Sequence, residues 1–178
     1  MSFILKKFRN KQPCIEDALY IGDNCVIIGD VKLSKNVNIW SNSTIRGDLS
    51  EIIIGENTNI QDNTVIHVEN PTSNNSLKGS VVIGKNTTIG HSCIIHSCKI
   101  GDNCLIGMGS IIGDGAVIED GAFVGAGSNI TPRTVVKKGE MWFGNPARFM
   151  RELRPDDIKY MEENIKEYLE LAKEFSKN

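Results

Sequence analysis

The sequence predicts an all-β solenoid: a triangular parallel β-helix built of six-residue repeats, about six coils long, followed by a C-terminal α-helix. Three observations predict it. First, an aliphatic residue recurs every six positions. The series runs Ile15, Ile21, Ile27, Leu33, Ile39, Ile45, then Ile54, Ile60, Ile66, then Ile83, Ile89, Ile95. After one shortened step it continues as Ile100, Ile106, Ile112, Ile118, Val124, Ile130 and Val136. Second, a compact side chain follows most of these by four positions, as at Cys25, Ser43, Thr58, Thr64, Thr87, Cys93, Cys104, Ser110 and Ser128. Third, the positions between are rich in Gly, Asp and Asn, as in Gly101-Asp102-Asn103 and Gly113-Asp114-Gly115.

A period of six fits neither an α-helix nor a hairpin meander. It fits a strand and a corner: the aliphatic residue points into a narrow prism, the small one sits near the bend, and Gly or Asn takes the corner angles that bulkier residues resist. Three such sides close one coil. Nineteen steps therefore make about six coils, stacked at the ~4.8 Å spacing of neighbouring strands.

Residues 1–14 precede the repeat as an N-terminal segment. They carry Lys6, Lys7 and Arg9 but no long apolar run. Neither an export signal nor a membrane span is expected, and the protein is expected in the cytoplasm with its five cysteines reduced. A net charge of −2 argues against nucleic acid and against an anionic membrane as partners. Residues 15–140 form the β-helix. It breaks at Arg46–Glu51, at Val68–Ser80 with an evident loop at Asn70–Ser76, and by one deleted residue in Ser97-Cys98-Lys99. A solenoid needs no interruption for stability, so breaks that cluster point to a site. Residues 141–154, with Trp142, Phe143 and Gly144-Asn145-Pro146, read as a connecting loop folded back along the prism. Pro155-Asp156-Asp157 then opens a helix over 155–178, the proline suiting its first turn and the acids its positive end. Ile158, Met161, Ile165, Tyr168 or Leu169, Ala172 and Phe175 fall on one face, to pack on a flat side of the prism or on a neighbouring chain.

All three histidines lie beside the breaks. His67 follows the rung residue Ile66, and His96 follows Ile95. They are 29 residues apart, and an insertion of 11 in the second break leaves 18, one full coil. The two imidazoles should therefore stand one above the other, a strand spacing apart, able to share a metal at bonds of ~2.0–2.1 Å. His91 belongs to the preceding side of the triangle and points elsewhere within one chain. It completes the site only if a second copy packs against this one. A prism with three flat sides packs as a symmetric homotrimer, with one divalent metal at each interface held by His67 and His96 of one subunit and His91 of the next.

These residues resemble the γ-class carbonic anhydrases and their relatives among the hexapeptide-repeat proteins. The motifs that carry the likeness are Arg46-Gly47-Asp48, Asn59-Ile60-Gln61-Asp62, His67, Gly90-His91, His96 five residues on, and Gly144-Asn145-Pro146-Ala147. The likeness covers nearly the whole chain. It implies a left-handed winding, and three histidines that bind zinc, with ferrous iron or cobalt as alternatives, across a trimer interface. It implies reversible hydration of carbon dioxide to bicarbonate by water made acidic at that ion. In this likeness Gln61 orients the hydroxide or substrate with Asn59 nearby. Arg46 pairs with Asp48 and attracts bicarbonate, and Asp62 is an interface carboxylate. One departure stands out. Active members carry proton-moving glutamates directly after the Arg-x-Asp and in the loop after the first histidine; here Leu49 takes the first place, and Glu51 and Glu69 are only near matches.

Two other readings compete. Acyl-CoA-dependent acyltransferases built on the same prism use one histidine as general base, which leaves the alignment of His67 with His96 unexplained. A trimeric metal-binding scaffold would hold the ion without the reaction. Among the thiols, Cys25, Cys93 and Cys104 sit at inward positions, and Cys98 is the one worth testing for reactivity.

Overall fold

The structure is a computed structural model that describes residues 2–71 and 79–177. The loop expected at Asn70–Ser76 therefore falls mostly outside the described residues. The chain winds as a parallel β-solenoid with a single C-terminal helix. On the first face Thr44, Val65, Ile94, Ile111 and Asn129 stand in one column of register partners. On the second, Ile53, Val82, Lys99, Val117 and Val135 do the same. The third face is an eight-stranded sheet; its last strand, Ala147–Glu152, is antiparallel, which leaves seven parallel strands among the described residues, one per turn.

That makes about seven turns rather than six, because pairing runs on at both ends, and at the C-terminal end still in step: Trp142, six residues after Val136, pairs with Val124. Ile4–Lys6 pairs in parallel with the strand Val26–Leu33, although its side chains are exposed. At the other end, residues 141–154 are not a loop. Glu140–Gly144 adds a parallel strand beside Phe123–Val124 and then turns back as a hairpin onto Ala147–Glu152. The first expected break is there as an insertion carried within a strand: against Val26–Leu33 the pairing jumps from Gly29 with Gly47 to Val31 with Ile52. Thr44–Ile54 is a continuous strand of 11 residues that rounds a corner and pairs on two faces.

The aliphatic series forms the core. Ile27, Ile39, Ile45, Ile60, Ile66, Ile89, Ile95 and Ile106 are fully buried, each worth about 1.5–3 kcal/mol of apolar burial. The compact residues tie one turn to the next: Ser43 Oγ donates to the Gln61 carbonyl, Thr64 Oγ1 to Gly90, and Ser110 Oγ to Gly125, at 3.1, 3.1 and 3.0 Å. A larger side chain would displace these bonds, which is why the position stays small. At the corners Asn36, Asn57, Asn86 and Asn103 adopt left-handed backbone angles. Their amides form a ladder with steps of 3.0, 2.9 and 3.2 Å.

Helix α1, Pro155–Phe175, lies across the third face against the strands Tyr20–Ile21, Asn38–Ile39, Asn59–Ile60 and Thr88–Ile89. Met161 and Ala172 are its buried residues, whereas Ile158 and Phe175 of the same helix stay half exposed. Tyr168 and Phe175 pack edge-on against Trp40, each 5.4 Å from its ring centre. Among the described residues no helix is long and apolar enough to cross a membrane. The helix start is fixed by Asp157, which accepts from the Arg154 N–H and from both terminal nitrogens of Arg151. Arg151 first, then the Arg154 backbone, holds the Asp157 carboxyl down at about 2. That lies below the ordinary ~3.9, so the anchor is fully present above the ordinary value and lost as the pH falls through about 2. Asp157→Asn is expected to lower the melting temperature near neutral pH, by an amount that shrinks as the pH falls toward about 2; thermal melts of both proteins across pH check this.

Candidate metal centre

The register places Arg46, His67 and His96 in one vertical column of the first face. This is the alignment of His67 with His96 that the residue count predicts. His67 Nδ1 and His96 Nε2 face each other at 3.2 Å. The outer nitrogen of each ring is held by a carboxylate: His67 Nε2 by Asp48 at 2.9 Å, and His96 Nδ1 by Asp114. Asp48 is bridged in turn to Arg46. Burial would raise the Asp48 carboxyl, but the hydrogen bonds from His67 and Arg46 outweigh it and hold the group below its ordinary range. A carboxylate can only accept, so the outer ring nitrogens carry the protons. In neutral rings the two inner nitrogens then aim lone pairs at one point. Two nitrogens bound to one tetrahedral ion at ~2.0–2.1 Å stand about 3.3 Å apart. The observed spacing and the carboxylate behind each ring both fit a divalent cation between them.

The other expected site residues lie elsewhere in the chain. Gln61 and Asn59 are buried on the third face beneath α1, where Gln61 Nε2 donates to Asn59 Oδ1 at 3.2 Å. Asp62 Oδ2 sits 3.0 Å from His91 Nδ1, and the Tyr168 hydroxyl lies 3.4 Å from His91 Nε2. His91 owes its place to Gly90 before it: a Cβ there would meet the Met108 backbone nitrogen at 2.6 Å, so only glycine lets the next turn pass so close. One chain thus carries two half-sites, Arg46, Asp48, His67, His96 and Asp114 on one, and Asn59, Gln61, Asp62 and His91 on the other. Among the described residues of one chain, no three His, Cys, Asp or Glu side chains are placed to hold a metal together.

Sequence reasoning did not single out Asp114 or Tyr168. Gly113-Asp114-Gly115 reads as an ordinary corner, and Tyr168 as one more apolar-face residue of the helix. Glu51 pairs with Lys32 at 3.6 Å and Glu69 accepts from the Asn70 N–H at 2.7 Å. Among the described residues neither is hydrogen-bonded to a histidine. Cys98 is not a reactive thiol: it is fully buried, and burial pushes its thiol far above the ordinary range. The deleted residue turns the side chain inward. Cys93 and Cys104 are likewise buried, pushed up to about 11 and about 12.

Comparison with known proteins gives the site a setting. The family described as "Bacterial transferase hexapeptide (six repeats)" matches residues 97–132, and "Hexapeptide repeat of succinyl-transferase" matches 80–113. The chain is 42% identical over 163 residues to a carbonic anhydrase of Geobacillus kaustophilus, covering 92% of this chain and 86% of that protein. It is 40% identical to the mitochondrial gamma carbonic anhydrase 2 of Arabidopsis thaliana over 92% of this chain, but spans only 58% of that protein's length. Among solved structures it superposes on a hexapeptide transferase family protein from Anaplasma phagocytophilum with a TM-score of 0.88 and 42% identity, covering 97% of this chain and 98% of that one.

Proposed function

Since the chain belongs to the γ-carbonic-anhydrase-like family of hexapeptide-repeat proteins, we propose that it forms a homotrimer that holds one divalent metal at each subunit interface and there hydrates carbon dioxide reversibly to bicarbonate. The observation that carries this reading is the pair of inner nitrogens, His67 Nδ1 and His96 Nε2, 3.2 Å apart with a carboxylate behind each ring. Zinc suits three neutral imidazoles; ferrous iron and cobalt suit them too.

The trimer answers the split between half-sites. Val65, Ile94 and Ile111 form an exposed apolar column on the face that carries His67 and His96. Among the described residues no helix covers that face within one chain, and a second copy packed there would bury the column and bring its own His91 to the pair. When bound, the ion acts as a Lewis acid that brings the pKa of water to about 7. The chain's own residues do the rest. Asp48, Asp114 and Asp62 fix each imidazole in one tautomer and orientation. Gln61, held by Asn59 and from the subunit that lends His91, orients the attacking water. Arg46, 42% exposed, remains available to bicarbonate while bridging Asp48. With Glu51 and Glu69 engaged elsewhere, proton export limits turnover. Stopped-flow hydration of carbon dioxide, with the protein loaded separately with zinc and with ferrous ion, tests the reaction. Rates indistinguishable from buffer with both ions would refute it. The solved hexapeptide transferase relative keeps a second reading in view, acyl transfer with a histidine as base; it requires no bound metal, so metal content after chelator-free purification separates the two.

A further inference from the structure

The chain of side chains beneath helix α1 runs in one direction. Gln61 Nε2 donates to Asn59 Oδ1 at 3.2 Å, Asn59 Nδ2 donates to Thr88 Oγ1 at 2.9 Å, and Thr88 Oγ1 donates to Asn164 Oδ1 at 2.9 Å. Asn59, Thr88 and Gln61 are 0, 3 and 5% exposed, so bulk water competes little with these bonds. A hydroxyl has one proton. With that proton given to Asn164, Thr88 can only accept from Asn59. Asn59 must then turn its oxygen to Gln61, and Gln61 must spend its NH2 group on that oxygen. What remains is Gln61 Oε1, a buried acceptor with no hydrogen-bond partner among the described residues. Such an atom is ordinarily satisfied by something outside the chain.

We infer that Asn164 of helix α1 is a positioning residue: through Thr88 and Asn59 it decides which end of the Gln61 amide is free, and the free end is the oxygen. A free oxygen receives an O–H donor such as the attacking water and repels an anion; a free NH2 would do the reverse. Asn164 lies one helical turn before Tyr168, whose hydroxyl reaches His91. Docking of α1 therefore sets the polarity of Gln61 and braces His91 together. The consequence for catalysis rests on the hydration reading above; the relay itself does not.

Two near-isosteric variants test it. Asn164→Asp can only accept from Thr88 and keeps the polarity. Asn164→Leu frees the Thr88 proton for Asn59 and lets both amides turn over. The Gln61 side-chain amide protons, followed by nitrogen-resolved hydrogen exchange in the metal-free protein, should stay protected in the parent and in Asn164→Asp and exchange at least tenfold faster in Asn164→Leu. In the cobalt-loaded protein, Asn164→Leu should lower kcat about tenfold and tighten thiocyanate binding several-fold, seen in the cobalt spectrum, while Asn164→Asp matches the parent. Equal exchange in all three proteins, or Asn164→Asp failing as fully as Asn164→Leu, would overturn the relay. A protected Gln61 amide that responds to Asn164→Leu supports it even if no protein hydrates carbon dioxide, and that result would count against the hydration reading alone.

Discussion

Replacing His96 with alanine is expected to abolish tight metal binding and leave the solenoid folded. The His96 side chain lies on the outside of the first face, while the neighbouring Ile95 fills the prism. Removing the imidazole therefore takes away one ligand and the partner of Asp114 without touching the core. Loss of one of three nitrogen ligands should weaken affinity by more than the 10–100-fold typical of a partner behind a ligand. Competition against a chelating dye measures the affinity, and circular dichroism with size-exclusion chromatography measures the fold. A His96→Ala protein that binds zinc as tightly as the parent, or one that unfolds, contradicts the assignment.

Mixing two defective proteins is expected to rebuild working sites. His67→Ala chains keep His91, and His91→Ala chains keep His67 and His96. If each site draws the pair from one subunit and His91 from the next, random trimers from an equal mixture regain about a quarter of their sites. Chains should be mixed under mild denaturation and refolded together, and bound metal counted per trimer. Recovery near a quarter supports ligands shared across subunits; no recovery at any ratio, with trimers demonstrably exchanged, rules it out.

These predictions use residues whose placement was legible to different degrees. The aliphatic series was fully legible, because burial inside a narrow prism imposes a strict period, and Ile60, Ile66, Ile89 and Ile95 are all fully buried. The alignment of His67 with His96 was legible for the same reason, since positions one coil apart must become register partners. The ends were not. Ile4–Lys6 joins the prism by backbone pairing alone, with side chains exposed, and leaves no periodic trace. The hairpin around Gly144-Asn145-Pro146 looked like a loop because Trp142, not an aliphatic residue, holds the rung place six after Val136, and the strand after it turns back antiparallel. Cys98 looked open because it stood at a break, yet shortening a rung rotates the next side chain inward. Contacts from α1 back to the prism, Asn164 to Thr88 and Tyr168 to His91, span 76 and 77 residues. No local pattern encodes them, so the relay to Gln61 emerges only once the helix is docked.

The most direct test of the central claim is anomalous diffraction at the zinc edge from crystals of the zinc-loaded protein. A trimer with one anomalous peak per interface is expected, each peak bonded to His67 and His96 of one subunit and His91 of its neighbour. A zinc-loaded crystal whose assembled particle keeps these rings far apart, with no peak between His67 and His96, would contradict it.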